Sequence, residues 1–425
     1  MQLEMAEPVT GQHHSSVSAS NVFASFFIGG FECSTHRLRN GRRLDLIAST
    51  QHDRFATDDY RLLQQHDIRT VREGLRWHLI EEVPNEFDFS SVEPIVRAAV
   101  ETGTEVIWDL WHYGWPDHLD IFSADFVRHF EAFARATAQL LSENWEAPFV
   151  CPVNEISFFS FAGGDAGFLN PFAQHRGGDM KRQLVRASIV AIGAMREVNP
   201  RIRFCHIDPV INVLAEQPEL AREARIYHLS QFEACDMILG RREPDLGGQE
   251  DFVDLIGVNY YIHNQWTHGG GMIVPSDPRY GHIRDLLREN FSRYGKPLFI
   301  AETGIEDETR PAWLRYMCNE IFAAIDAGVP IEGLCLYPIL NHPGWDDDRH
   351  CYNGLLDYAD AQGNRAAYEP LARELRRQQQ NIARIRSGEE TFVDRRDTEV
   401  SALDWAAHVM DERTEECRSV ERSPD

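Results

Sequence analysis

Short runs rich in β-branched and aromatic residues alternate with longer amphipathic stretches along most of the chain. Each intervening stretch places apolar residues at helical spacing, so the pattern predicts strands that alternate with helices. Such an order requires parallel strands in βαβ units, which leaves a closed barrel or a doubly wound open sheet. The segment GGFECS after the first run lacks the glycine spacing of a dinucleotide-binding loop, which favours an α/β fold of the (β/α)8 TIM-barrel type. The eight predicted strands cover residues 22–29, 70–77, 105–112, 149–155, 202–208, 253–261, 297–303 and 331–337.

The chain of 425 residues is long enough for two domains, but α/β barrels commonly use about 250 residues or more as one unit. We predict a single barrel domain over residues 21–378. Residues 1–20 are polar and aperiodic, and residues 379–425 are dense in charge. Both ends are therefore predicted to be flexible or disordered tails.

A formal net charge of −25 argues against nucleic acid or an acidic bilayer as a partner. No apolar stretch approaches the roughly 20 residues that a membrane span needs, and the first residues lack the basic-then-apolar order of a secretory signal. The 8 cysteines are scattered without a C-x-x-C pair, which is typical of reduced core residues. These features predict a cytoplasmic protein without a nucleic-acid or membrane partner, and they leave the oligomeric state open.

Polar residues collect near the ends of the predicted strands, where barrel enzymes carry their chemistry. One such residue is unremarkable, but several at one rim indicate a functional site. The set comprises Arg72, Arg76, Trp111, His112, Asn154, Glu155, His206, Asp208, Asn259, Tyr260, Tyr261, Glu302, Tyr337, Asn341, His342 and Trp345.

Two glutamates in this set, Glu155 and Glu302, end the fourth and seventh predicted strands. A pair of carboxyl groups facing each other across a barrel mouth is typical of glycoside hydrolysis, in which one group is an acid and the other an anion. Strand alternation places Arg72 on the inward face, where its charge would keep a neighbouring nucleophile ionised. Glu73 then points the opposite way and is a poor catalytic candidate.

These residues stand in motifs that resemble those of glycoside hydrolase family 1 and, more broadly, the clan A glycosidases. The family's acid/base motif T-x-N-E-P corresponds to residues 152–156, and its nucleophile motif T-E-N-G corresponds to residues 301–304. The motif G-x-N-Y-Y is intact at residues 257–261. The resemblance covers roughly residues 22–375 and implies a retaining β-glycosidase similar to β-glucosidases.

The resemblance also implies roles for single residues. Glu155 is the expected acid/base and Glu302 the expected nucleophile of a double displacement. Asn154 is expected to bind the sugar 2-hydroxyl, and Tyr261 to donate to Glu302. His112 and Asn259 are expected to bind the sugar.

The other end of the pocket departs from the family. Tyr337 replaces the platform tryptophan, and Gly344 replaces a glutamate that reads distant hydroxyls. The family's glutamine near the first strand has no counterpart, and the chain offers Glu32 and His36 instead. Trp345 remains as a stacking surface for a sugar face. These changes leave the sugar and the aglycone open.

The carboxylates would do all the chemistry, so we predict a carbohydrate or glycoside substrate without a cofactor or a metal. Whether hydrolysis or transglycosylation dominates is left open. One alternative is a barrel that binds or senses carbohydrate without cleaving it. Another is a metal-dependent hydrolase that uses His112, His206 and Asp208, whose spacing lacks the close H-x-H pattern of many such sites.

Overall fold

A computed structural model describes residues 22–387. The predictions for residues 1–20 and for most of the C-terminal tail lie outside the described residues. No helix within residues 22–387 has the length and apolar character that a bilayer span requires.

Eight parallel strands close into a barrel in which each strand pairs with the next and the last pairs with the first, as the sequence predicts. Each strand overlaps one of the predicted runs. The strands are β1 (Phe27–Gly30), β2 (Thr70–Gly74), β3 (Glu105–Asp109), β4 (Phe149–Cys151), β5 (Arg203–Pro209), β6 (Leu255–Asn259), β7 (Leu298–Thr303) and β8 (Ile331–Leu336).

A helix follows every strand and covers the outside of the barrel. The covering helices are α1 (His52–Gln65), α2 (Glu93–Thr102), α3 (Ala124–Asn144), α4 (Gly177–Val198), α5 (Ala221–Leu229), α6 (Ile283–Tyr294), α7 (Arg310–Asp326) and α8 (Glu369–Ser387). Helix α8 continues through Ser387, beyond the boundary at residue 378 that the charge pattern suggests.

Shorter elements lie in the connections. Four-residue helices cover Leu46–Ser49, Trp77–Ile80 and Ile156–Phe159, and Glu233–Ile238 follows α5. Two parallel strands, Asn212–Ala215 and Gln265–His268, pair outside the barrel beyond β5 and β6. A further small pair joins His342–Pro343 to His350–Cys351 beyond β8.

Apolar side chains form two layers because successive residues of a strand point to opposite faces. The smaller layer fills the barrel interior with side chains such as Ile107, Cys205 and Phe299. The larger layer packs the outer strand faces against the helices. All seven cysteines within the described residues are buried, which agrees with the expectation that they are core residues.

Candidate active site

Glu302 lies at the end of β7, with both carboxylate oxygens held by donors from other strands. Its Oε1 accepts a hydrogen bond of 2.7 Å from Arg72 Nη1 and a longer one of 3.3 Å from Asn154 Nδ2. Its Oε2 accepts a hydrogen bond of 2.9 Å from the Tyr261 hydroxyl. The side chain is 5% exposed, so the carboxylate is fixed in a nearly dry environment.

Arg72 on β2 is the cation of this pocket and is 1% exposed. Its guanidinium donates to Asp109 on β3 through Nε at 3.1 Å and pairs with it through Nη2 at 2.7 Å. It also donates at 2.7 Å to Asn154 Oδ1 beyond β4, and at 3.1 Å to the backbone oxygen of Ala301 on β7. One side chain therefore connects four strands around Glu302, and burial without these partners would be costly for a charge.

Glu155 has a different environment, although it lies in the same pocket. Its Oε2 accepts a short hydrogen bond from the Tyr113 hydroxyl, and its Oε1 accepts one of 2.8 Å from Asn259 Nδ2. Both donors are neutral, and the side chain is 8% exposed. Burial and the negative charge of Glu302 raise the pKa of Glu155 well above the usual value of a glutamate. The environment therefore favours a protonated Glu155 beside an anionic partner.

The backbone at Glu155 adopts a left-handed conformation, with φ 50° and ψ 54°. Tyr113, which donates to it, also has a positive φ of 71°. Such conformations cost a non-glycine residue on the order of 1–3 kcal/mol and persist only where surrounding contacts enforce them. The Glu155 amide donates at 3.0 Å to the backbone oxygen of Ile207 on β5, which is one such contact. Tyr113 and Glu155 therefore both have a left-handed backbone at the point where their side chains form a hydrogen bond.

His112 follows β3 and lies between Asp109, the partner of Arg72, and Asn154. Its Nδ1 lies 3.1 Å from Asp109 Oδ2, and its Nε2 lies 3.3 Å from Asn154 Nδ2. Its ring stacks parallel to that of Tyr337 at a centroid distance of 6.0 Å. The imidazole thus lines the pocket beside the amide of Asn154.

Tyr337 does not form an exposed platform, since it is 2% exposed. The guanidinium carbon of Arg72 lies 5.3 Å from its ring centroid, and its hydroxyl is 3.7 Å from Cys33 Sγ. A Cβ on Gly30 would meet the ring at 2.2 Å, so only glycine fits there. Tyr337 therefore forms part of the pocket floor.

The end of the pocket that departs from the family contains Glu32, His36 and Trp345. His36 is 1% exposed, and neither ring nitrogen has a hydrogen-bond partner among residues 22–387. Burial lowers the pKa of His36 to about 4, so the ring is neutral near pH 7 and offers one donor and one acceptor. Its ring lies 5.0 Å from the half-buried Trp345, in an edge-to-face arrangement.

Glu32 is held by a neighbouring serine, since its Oε1 accepts from Ser34 N at 2.9 Å and from Ser34 Oγ at 2.5 Å. Burial acts to raise the pKa of Glu32, but His112, His342 and these hydrogen bonds outweigh it and lower that pKa. The group is therefore an anion. We call Glu32, His36 and Trp345 the histidine side, and Glu155 and Glu302 with their hydrogen-bond partners the carboxylate side.

A series of aromatic rings leads outward from the carboxylate side. Tyr113 lies 6.0 Å from Phe158, which lies 6.5 Å from Phe168, and Phe168 lies 5.8 Å from Phe161, all between ring centroids. Phe161 and Phe168 are each 42% exposed. Exposed rings that continue from a pocket are suited to stacking against a flat ligand.

Some residues that the sequence analysis placed at the rim lie elsewhere. Arg76 donates to Asp45 and Asp53 outside the pocket. His206 and Asp208 have the opposite strand parity to Cys205, whose side chain fills the barrel interior, and therefore face outward. Asp208 is held by Ser157. Its Oδ1 accepts from Ser157 N, and its Oδ2 accepts from both Ser157 N and Ser157 Oγ. The hypothesis of a metal site that combines His112 with His206 and Asp208 is therefore wrong.

Glu73 also faces outward, as the sequence analysis predicts, and bonds to His52 and Tyr60. Two side chains that contact the pocket carboxyl groups or Arg72 were missed, Tyr113 and Asp109. Asp109 is a charged residue directly after the apolar run of residues 106–108, which is a usable signal. Tyr113 gives no signal in the sequence, because only the local backbone turns its hydroxyl toward Glu155.

Comparisons with solved structures find matches over most of the barrel. One is a β-glucosidase from Thermotoga maritima in complex with castanospermine, at 15% identity and a TM-score of 0.68, covering 83% of this chain and 97% of that one. Another is the family 1 β-glucosidase from Thermotoga maritima in complex with isofagomine lactam, at 15% identity, a TM-score of 0.69 and coverage of 84% and 98%. This chain shares the fold of family 1 β-glucosidases. No protein-family model and no curated protein sequence matches it.

Proposed function

We propose that this protein is a retaining β-glycosidase that cleaves O-glycosidic bonds by a double displacement. The observation that carries the proposal is the contrast between two carboxyl groups in one buried pocket. Glu302 is paired with Arg72, whereas Glu155 contacts neutral donors and is repelled by Glu302. An acid beside an anion is what the first step requires.

In the first step, Glu302 attacks the anomeric carbon and the bond to the leaving-group oxygen breaks. Glu155 gives its proton to that oxygen, and a covalent glycosyl–enzyme ester forms. Tyr261 and Arg72 hold the attacking carboxylate in place. Asn154 is proposed to bind the 2-hydroxyl, because its amide reaches both Glu302 and His112.

The second step uses a change in charge that the first step produces. Once Glu302 is an ester, it no longer carries the negative charge that helps to raise the pKa of Glu155. Glu155 therefore becomes easier to ionise and can take a proton from a water molecule that attacks the anomeric carbon. The ester bond breaks, and Glu302 returns as a carboxylate.

Substrate recognition is proposed to lie on the histidine side, where Glu32, His36 and Trp345 would contact sugar hydroxyls and one sugar face. His112 and Tyr337 would line the same subsite, and Asn259 would act mainly by holding Glu155. The likeness in fold to β-glucosidases supports a β-linked sugar as substrate, and a cytoplasmic location remains part of the proposal.

The test is turnover of a panel of aryl β-glycosides by the wild type and by Glu302→Ala, with Glu143→Ala as a matched control. Glu143 is exposed near the end of α3, far from the pocket. We expect the wild type and the control to be equally active, and Glu302→Ala to lose on the order of 10⁴-fold or more. Proton NMR of the first product should show the β-anomer.

Activity that survives Glu302→Ala would overturn the nucleophile assignment, and an α-anomer as first product would overturn retention. No turnover on any sugar, together with sugar binding measured by calorimetry, would instead support a barrel that binds carbohydrate without cleaving it.

A further inference from the structure

A second cluster of polar side chains lies outside the barrel interior, between the loops that follow β2 and β3. It consists of Glu81, His118 and His129. Glu81 directly follows the short helix Trp77–Ile80, and His129 lies in the second turn of α3. His118 belongs to the loop that leads from β3 to α3.

The three side chains converge on one point. One potential ligand atom from each lies within 4.8 Å of the other two. Glu81 Oε1 is hydrogen-bonded to His129 Nδ1, and His118 Nε2 lies 3.8 Å from the same oxygen. Two imidazole nitrogens and a carboxylate oxygen are donors that Zn²⁺ prefers. With bonds of ~2.0–2.1 Å, a tetrahedral ion needs its ligand atoms roughly 3.3 Å apart, so small side-chain movements would suffice.

Surrounding hydrogen bonds already orient the carboxylate of Glu81, whose side chain is fully buried. Its Oε2 accepts from Trp77 Nε1 at 2.8 Å, and its Oε1 accepts from the Asn85 amide at 3.0 Å. The side chains of His129 and His118 are 13% and 26% exposed, which leaves one side of the cluster open to solvent. Metal sites commonly combine such oriented ligands with an open approach.

A buried carboxylate that is merely satisfied by hydrogen bonds is the competing interpretation. It accounts for Trp77, Asn85 and His129. His118 makes no hydrogen bond to Glu81 at 3.8 Å and meets His129 only edge to face, with ring centroids 5.5 Å apart. The other group of potential ligands within residues 22–387 contains Cys33, Asp109 and His112. Arg72 pairs with Asp109 there and would repel a cation.

We propose that Glu81, His118 and His129 form a zinc-binding site with a fourth position open to water. The site is independent of the proposed glycosidase reaction, because none of the three residues contacts the pocket carboxylates. A bound ion would tie the loop after β2 to the loop after β3, which also carries His112 and Tyr113. It would therefore stabilise the native state in proportion to its binding.

The experiment is isothermal titration calorimetry of tag-free, chelator-treated full-length protein with zinc chloride alone. We expect one ion per chain and a higher melting temperature with zinc. His118→Ala should weaken zinc binding by at least about tenfold. Mutation of a residue that only hydrogen-bonds to a metal ligand already costs that much, and His118 would be a ligand itself. His175→Ala, which removes an exposed histidine from another loop, should bind zinc like the wild type.

His118→Ala is the decisive variant, because the side chain lies 3.8 Å from Glu81 and meets His129 only edge to face, so its loss should not prevent folding. His118→Gln keeps most of the side-chain volume and controls for the space that His118→Ala leaves. Circular dichroism checks that both variants fold. The absorption bands of added Co²⁺ should indicate four-coordination in the wild type and change in both His118 variants. Failure of the wild type to bind zinc at one ion per chain, or equal binding by His118→Ala, would overturn the proposal.

Discussion

The two sides of the pocket differ in how the protein satisfies their titratable side chains. On the carboxylate side, all four oxygens of Glu155 and Glu302 accept at least one hydrogen bond from the protein. On the histidine side, both ring nitrogens of the buried His36 have no partner within residues 22–387. Both carboxyl groups are thus satisfied without a ligand, although Oδ1 of their neighbour Asn259 has no partner within residues 22–387. The imidazole of His36, by contrast, has both ring nitrogens available to a ligand.

This difference separates two physical tasks. Groups that act on developing charge are most effective when they are already oriented, because reorganisation during the reaction would raise the barrier. Groups that recognise a ligand keep hydrogen-bonding capacity free until it arrives. An unsatisfied buried polar group costs about 1–3 kcal/mol, so the position of His36 is a stability cost that ligand binding would offset.

The largest expected effect is on the carboxylate side. Glu155→Ala should lower kcat/KM about 10²–10⁴-fold on substrates with poor leaving groups, since they depend on proton donation. Activated aryl glycosides should lose less in the first step, and added azide should partly restore their turnover. Steady-state kinetics with a series of leaving groups measures this. Equal losses across the series without azide rescue would mean that Glu155 is not the acid.

A substitution on the histidine side should change KM more than kcat. His36→Leu should raise KM by about 5- to 150-fold, which corresponds to 1–3 kcal/mol of lost hydrogen bonding, with a smaller change in kcat. Its melting temperature should equal or exceed that of the wild type, because an unsatisfied polar group is removed. Tyr261→Phe is the matched variant on the carboxylate side and should lower kcat with little change in KM. If His36→Leu is less stable than the wild type and its KM is unchanged, His36 does not bind the substrate and the proposed difference between the two sides is wrong.

A smaller effect concerns the pH profile. The Tyr113 hydroxyl donates to Glu155 and thereby stabilises its ionised form, which lowers its pKa. Tyr113→Phe removes that donor, so the pKa of Glu155 rises further and the basic limb of kcat/KM moves to higher pH. At the optimum, the loss should stay below about tenfold. Tyr227→Phe is the control, and a limb that moves to lower pH would contradict the assignment.

The smallest effect should appear outside both sides, on the exposed rings. Phe161→Ala should raise KM about fivefold for glycosides with large aromatic aglycones, equivalent to roughly 1 kcal/mol of stacking. Methyl glycosides should be unaffected, and Val83→Ala serves as a control at another exposed apolar residue. The same rise in KM for both kinds of substrate would show that these rings do not bind the aglycone.

The order of strands and helices could be predicted from the sequence because burial on both faces makes most of the strands largely apolar. Strand ends were less accurate. The predicted second strand extends to residue 77, whereas β2 ends at Gly74. Leu75 and Trp77 beyond it are buried apolar residues, and Trp77 begins the short helix Trp77–Ile80, which periodicity cannot separate from a strand.

Strand parity accounts for the outcome of the rim predictions on β2 and β5. It placed Arg72 inward and Glu73 outward, and the structure confirms both. The same rule, applied to β5, would have turned His206 and Asp208 outward, since Cys205 lies inside. The hydrogen bond from Tyr113 to Glu155 could not be predicted, because it depends on two left-handed residues in separate loops. The roles assigned to single residues remain predictions.

Arg72 ties β2, β3, β4 and β7 together beneath the pocket, and none of those contacts involves the histidine side. The orientation of Glu302 is thus braced by the barrel wall, whereas Tyr113, which donates to Glu155, lies in a loop and contacts the rings of His36 and Trp345. Changes at His36 or Trp345 can therefore leave the orientation of Glu302 undisturbed, whereas they would reach Glu155 through Tyr113.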